Sequence, residues 1–188
     1  MRSLFFYFDD PSEDPRLLNA LEDMLSGSDR AVAIQGAALV DSQLRAALLR
    51  RFGDKGYVND ALSGREFLSS FSARITTARM LGLFSDRLAG DLQIVRRVRN
   101  DFAHDPVAMS FSTPSIRDRC RNLTVPTENI AALGSTPKDD RSFIAADPSE
   151  IDLDSARFRY IATCAFFTVI ASAAARYAQP LDIRIANH

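Results

Sequence analysis

Ala33-Ile34-Gln35-Gly36-Ala37-Ala38-Leu39-Val40-Asp41-Ser42-Gln43-Leu44-Arg45-Ala46-Ala47-Leu48 decides the fold class. Within it Ala33, Ala37, Val40, Leu44, Ala47 and Leu48 recur at three- and four-residue steps, the spacing of one buried helical face. Asp29 is placed to cap this helix and Gly53 to end it. Gly36, Ala37 and Ala38 give it a thin waist on which a second helix can pack closely, within the chain or from a second copy.

Outward from this helix the rest of the chain reads the same way. Asp14-Pro15 opens an earlier helix through Leu25 that stops at Gly27. After a linker containing Gly53, Gly56 and Gly64, a third helix is predicted over Phe67–Leu81, closed by Gly82. Ser85, with Asp86 in the first turn, caps a fourth that runs to His104, where Asp105-Pro106 stops it. Thr113-Pro114 opens a short helix to Arg121. Residues 125–152, broken by Pro126, Gly134, Pro137 and Pro148, read as an irregular surface excursion. Asp154 caps a final helix to Ala178 whose segment Tyr160–Ala175 is apolar nearly all round and therefore central. That segment is shorter than the roughly twenty residues of a membrane span. Only Leu4–Phe8 and Leu181–Ile185 hint at strands. The expectation is a single all-α domain over residues 1–188, a bundle of about six helices with a long irregular excursion before the last.

Composition narrows the function classes. Hydrophobic residues make up 46% and charged residues 25% of 188, which describes a folded chain and not a disordered one. The formal net charge is −1, so binding to nucleic acid would need a local patch. Of 23 basic residues only Lys55 and Lys138 are lysine. Guanidinium forks suit phosphates, carboxylates and buried ion pairs alike. Cys120 and Cys164 have no metal-ligand or C-x-x-C spacing and fit two thiols in a reducing core. No cofactor motif and no metal site is expected. Asp9 and Asp10 cut the apolar N-terminal stretch short of a signal segment. The expectation is a soluble, cytoplasmic protein.

The densest polar chemistry is Arg96-Arg97-Val98-Arg99-Asn100-Asp101-Phe102-Ala103-His104. His104 is the only internal histidine; the other is the terminal His188. On a helical wheel Leu88, Leu92, Val95, Val98 and Phe102 form a buried stripe with Ile94 on its flank. Gln93, Arg97, Asn100 and His104 share a polar face and are the candidates for binding a ligand or partner. Arg99 falls at the edge of the stripe, where a guanidinium needs a carboxylate. Asp41, Asp91 and Asp101 are the candidates, and Asp41, bordering the apolar face of the first long helix, is preferred. Elsewhere Ala78–Ser85 faintly suggests a helix-turn-helix, but Asp86 and Asp91 would repel DNA phosphates and a plain helix hairpin explains the same residues. Arg117 and Arg121 stand one turn apart on a helix that also holds Asp118, as in a solvated face with internal ion pairs.

Arg99 to His104 fits R-x4-H and resembles the motif of HEPN-domain proteins, α-helical bundles many of which are metal-independent ribonucleases. That resemblance implies a catalytic Arg99 and His104 with Asn100 positioning them. An imidazole would move the proton of a ribose 2′-hydroxyl and a guanidinium would stabilise the charged phosphorane. On an unbroken helix the two side chains point about 140° apart, so they would meet only at a helix end or kink, or across a second subunit.

Four blocks together are similar to the mannitol operon repressor (MltR) family of bacterial proteins. They are Asp29–Val40 with Leu44; Phe71–Ile75 with Leu81-Gly82-Leu83; Ile94–His104; and Ile116–Cys120 with Asn122-Leu123. The match in order and spacing covers residues 29–123. It implies an all-α fold and transcriptional regulation, without a recognisable helix-turn-helix. Two functions are therefore carried forward. The first is a non-enzymatic regulatory or interaction module, a homodimer that takes a protein partner or a small effector. The second is a HEPN-like ribonuclease with RNA as its partner. A repressor that contacts DNA directly is disfavoured by the near-zero charge.

Overall fold

The structure, a computed structural model, describes residues 26–53, 55–64, 66–104, 109–125 and 154–177, with Asn19, Asp23, Met24, Asp152 and Gln179 besides. Six helices run in the order α1 (Asp29–Phe52), α2 (Gly56–Ala61), α3 (Phe71–Met80), α4 (Asp86–His104), α5 (Pro114–Arg121) and α6 (Ala156–Tyr177), and no strand occurs among the described residues. Asn19, Asp23 and Met24 are helical, in the range where the first helix was expected. The Asp105-Pro106 stop, most of the 125–152 excursion, the two strand hints and His188 lie outside the described residues.

The all-α class is what the periodicity requires, and the caps refine its boundaries. Ser28, not Asp29, caps α1: its hydroxyl accepts from the Ala31 N–H at 3.3 Å, and Asp29 falls in the first turn. Likewise Ser155, not Asp154, caps α6 through the Phe158 N–H at 3.2 Å. In both cases a serine takes the short hydroxyl geometry of the cap, which frees the neighbouring carboxylate. The third predicted helix begins late, at Phe71, because Ser70 caps it by accepting from the Ala73 N–H. The glycine-containing linker holds a short helix, α2, that the sequence reading did not separate. α3 closes on Gly82, at φ 69°, with the Leu83 N–H donating to the Ala78 carbonyl at 2.9 Å. That left-handed closure needs a residue without Cβ strain.

α1 and α6 form the most extensive helix pair in the bundle. The thin waist is the reason. A Cβ added at Gly36 would lie 3.1 Å from the Cys164 Sγ, 3.2 Å from the Met24 Cε and 3.3 Å from the Tyr160 Cε1. The close approach predicted for the waist is therefore used inside the chain. Tyr160, fully buried, donates its hydroxyl to the Ala33 carbonyl at 2.8 Å, so the core phenol is satisfied by α1 itself. Phe102, Phe111 and Tyr160 stack in series, with centroids 5.2 and 5.3 Å apart, and tie α4 to α6. α6 is long and apolar enough to span a bilayer by composition, yet Tyr160, Cys164, Phe167 and Ala171 are buried in the bundle.

Two predictions follow from this packing. Gly36→Leu should lower stability by about 2 kcal/mol through overpacking, read as a reduced urea midpoint; an unchanged midpoint would contradict the waist. Burial pushes the Cys120 thiol up to about 12 and Cys164 higher still. The folded protein should therefore show no fast-reacting thiol toward a disulfide reagent at pH 8, and two should appear in denaturant.

Candidate functional site

α4 carries the cluster, and its two faces do different work. Leu92, Val95, Val98 and Phe102 are buried, while Arg97, Arg99, Ala103 and His104 are exposed and Gln93, Arg96 and Asn100 are half-buried. The helix is continuous through His104. Arg99 and His104 therefore diverge by about 140° within one chain. Arg99 donates to the Asn100 Oδ1 at 3.0 Å, and Arg96 donates to the Gln93 Oε1 at 2.8 Å.

The expected Asp41–Arg99 pair is not formed, and neither Asp91 nor Asp101 takes Arg99. Asp41 accepts from the Arg74 Nη1 at 2.6 Å. Asp101 pairs with Arg119 of α5. Asp91, only 2% exposed, accepts from the Thr124 N–H and hydroxyl and from the Val125 N–H, all at 2.9 Å at its Oδ2. The reason is position: Arg99 lies on the edge of the apolar stripe, where a long side chain reaches water. α3 and α4 both pack against α1, and it is an arginine of α3 that meets Asp41.

Arg74 illustrates what several of the arginines do. Beside Asp41 it donates to the carbonyls of Leu62 (2.9 Å), Leu68 (3.1 Å) and Ser69 (2.7 Å), pinning the α2–α3 connection. Arg159 of α6 donates to the carbonyls of Cys120 (2.9 Å), Arg121 (3.2 Å) and Leu123, closing the C-terminal end of α5. Arg157 joins the Asp29 Oδ1 at 2.5 Å to the Gly27 carbonyl at 2.6 Å, while the Asp29 Oδ2 accepts the Phe111 N–H at 2.8 Å. Arg30 donates to the Phe102 carbonyl near the end of α4. These are carbonyls of helix ends and connections, met by guanidinium.

The sequence reading gave Arg74 no structural role and offered Asp91 only as a partner for Arg99. Arg74 shares three-four spacing with Phe71, Ile75 and Ala78, and Asp91 shares it with Leu88, Val95 and Val98. Each therefore interrupts an apolar stripe more centrally than Arg99 does.

A known structure shares this fold. A chain of the X-ray structure of the MtlR-HPr complex from Escherichia coli superposes with a TM-score of 0.59 at 19% sequence identity, covering 83% of this chain and 98% of that chain. The mannitol operon regulator and this chain thus share an all-α architecture over nearly the whole of the regulator's length. No protein-family model and no curated protein matches the sequence. Fold agreement with the regulator is in line with the all-α bundle expected from the sequence, and it gives no residue of α4 a role.

The reassigned ion pairs make a direct prediction. Arg74→Ala, which strands Asp41 and three carbonyls, should cost about 3 kcal/mol in urea unfolding. Arg99→Ala should stay within about 0.5 kcal/mol of wild type. The reverse order would restore Arg99 as the structural arginine.

Proposed function

We propose that this chain is a non-enzymatic module of transcriptional regulation that acts through a protein partner. The observation that carries the reading is the match of the bundle to a regulator that stands in a complex with a protein, HPr. Fold and function separate easily among helical bundles, so the chemistry of the surface supplies the rest of the argument. α4 presents Arg97, Arg99 and His104 to solvent, and the continuous helix keeps Arg99 and His104 apart. Such a face binds more readily than it catalyses. The homodimer of this reading uses a face other than the Gly36 waist, which Tyr160 and Cys164 fill. A small effector would bind on the polar face of Gln93, Arg97, Asn100 and His104.

A second reading is favoured by one observation: Arg99 and His104 are both exposed at the same end of α4, with Asn100 bound to Arg99. In that reading a second copy completes a metal-independent ribonuclease site.

One set of measurements separates the two. Purified wild type, Arg99→Ala and His104→Ala are incubated with mixed RNA in EDTA, and the wild type is titrated with HPr by calorimetry. The regulatory reading predicts intact RNA in all three samples and heat of binding to HPr. RNA cleavage by wild type that both substitutions abolish would overturn it. Retention of an operator fragment that weakens steeply with salt, with no HPr binding, would also overturn it in favour of direct DNA contact.

A further inference from the structure

The arginines of this chain serve different ends, and Arg79, Arg117, Arg119 and Arg121 pair with carboxylates. Arg30, Arg74, Arg157 and Arg159 are committed to the fold's own carbonyls, as described above. Arg96, Arg97 and Arg99, within one turn of α4, have no carboxylate partner among the described residues; Arg96 and Arg99 share a face about 60° wide, and Arg97 stands about 160° from Arg99. Asp101, the acidic residue nearest to them in sequence, is taken by Arg119. Three full positive charges are thus concentrated on one stretch of helix in a chain whose formal net charge is −1.

Two of the three are held in place without being neutralised. Gln93 and Asn100 fix the guanidiniums of Arg96 and Arg99 through amide oxygens on the same helix. An uncharged acceptor orients a fork and leaves its charge available, whereas a carboxylate would cancel it. Ala103, exposed and one turn beyond Arg99, leaves the ledge beside the forks open.

We infer that this ledge of α4, centred on Arg96 and Arg99 with Arg97 at its far rim, is the docking surface for a carboxylate-rich segment of a protein partner. The inference deepens the regulatory reading and rests on it. Protein is favoured over RNA by the surroundings of the ledge. α4 exposes no aromatic side chain on which a base could stack, and the large exposed apolar residues, Tyr57, Phe67 and Met80, lie on other elements. The charged stretch is also short, which suits a few carboxylates better than a nucleic-acid backbone.

The test uses the full chain and a fluorescein-labelled poly-glutamate peptide at low salt, read by anisotropy, with labelled oligouridylate as the competing probe. Wild type should bind the peptide, and Arg96→Ala/Arg97→Ala/Arg99→Ala should bind it about tenfold more weakly or not at all. The variant's circular dichroism and urea midpoint should match wild type, since these side chains carry no part of the fold. Arg50→Ala/Arg117→Ala/Arg121→Ala removes the same charge elsewhere and should leave binding near the wild-type value. Equal losses in both triple variants would reduce the effect to net charge and overturn the inference. So would absence of peptide binding by wild type, or tighter binding of oligouridylate that depends on the α4 arginines. The regulatory reading fails separately: RNA cleavage by wild type would sink it even where the peptide result holds. HPr binding that survives in the α4 variant would sink the ledge and leave the reading intact.

Discussion

A helix that ends against a packed core leaves carbonyl groups with no intrahelical donor, and an unsatisfied buried carbonyl costs as much as the core contact that buried it. In this bundle guanidinium adds donors at helix ends and connections. Arg159 gathers three carbonyls at the end of α5, Arg74 gathers three between α2 and α3, and Arg157 and Arg30 tie the segment before α1 and the end of α4 to their neighbours. One planar fork with five donors can serve several acceptors at once, which a single ammonium on a flexible stem cannot.

The other constraint is the waist of α1. Because Gly36 admits Tyr160 and Cys164 to near contact, α6 lies deep enough for its phenol to bond a carbonyl of α1 and for Phe111 to bridge to Phe102. α4 is thereby held by its inner face alone. Its outer face is left with charged and amide side chains that contribute little to stability. The run that ends at His104 is thus divided: Asp101 and Phe102 belong to the fold, and Arg97, Arg99 and His104 to the surface.

Much of this architecture was legible in the sequence because it rests on local rules. Apolar spacing marks α1, α4 and α6, Pro114 opens α5, and Gly82 closes α3. The boundary shifts at Ser28, Ser70 and Ser155 come from a choice among adjacent capping residues that spacing cannot make. The pairing of Asp41 was not legible, because it depends on which helix lies beside α1. The need of a buried guanidinium for a carboxylate holds for Arg74 and not for Arg99: Arg74 and Asp91 sit nearer the centre of their apolar stripes. The carbonyl partners of Arg157 and Arg159 lie beyond any local rule, since they are set by tertiary contact across more than thirty residues of chain.

The account gives guanidinium geometry, and not positive charge, the central structural role. Arg159→Lys tests this most directly, because it keeps the charge at the end of α5 and removes the fork. The account predicts that urea unfolding of Arg159→Lys shows a loss of more than about 1 kcal/mol relative to wild type, with Arg97→Lys unchanged. An Arg159→Lys protein as stable as wild type would contradict it.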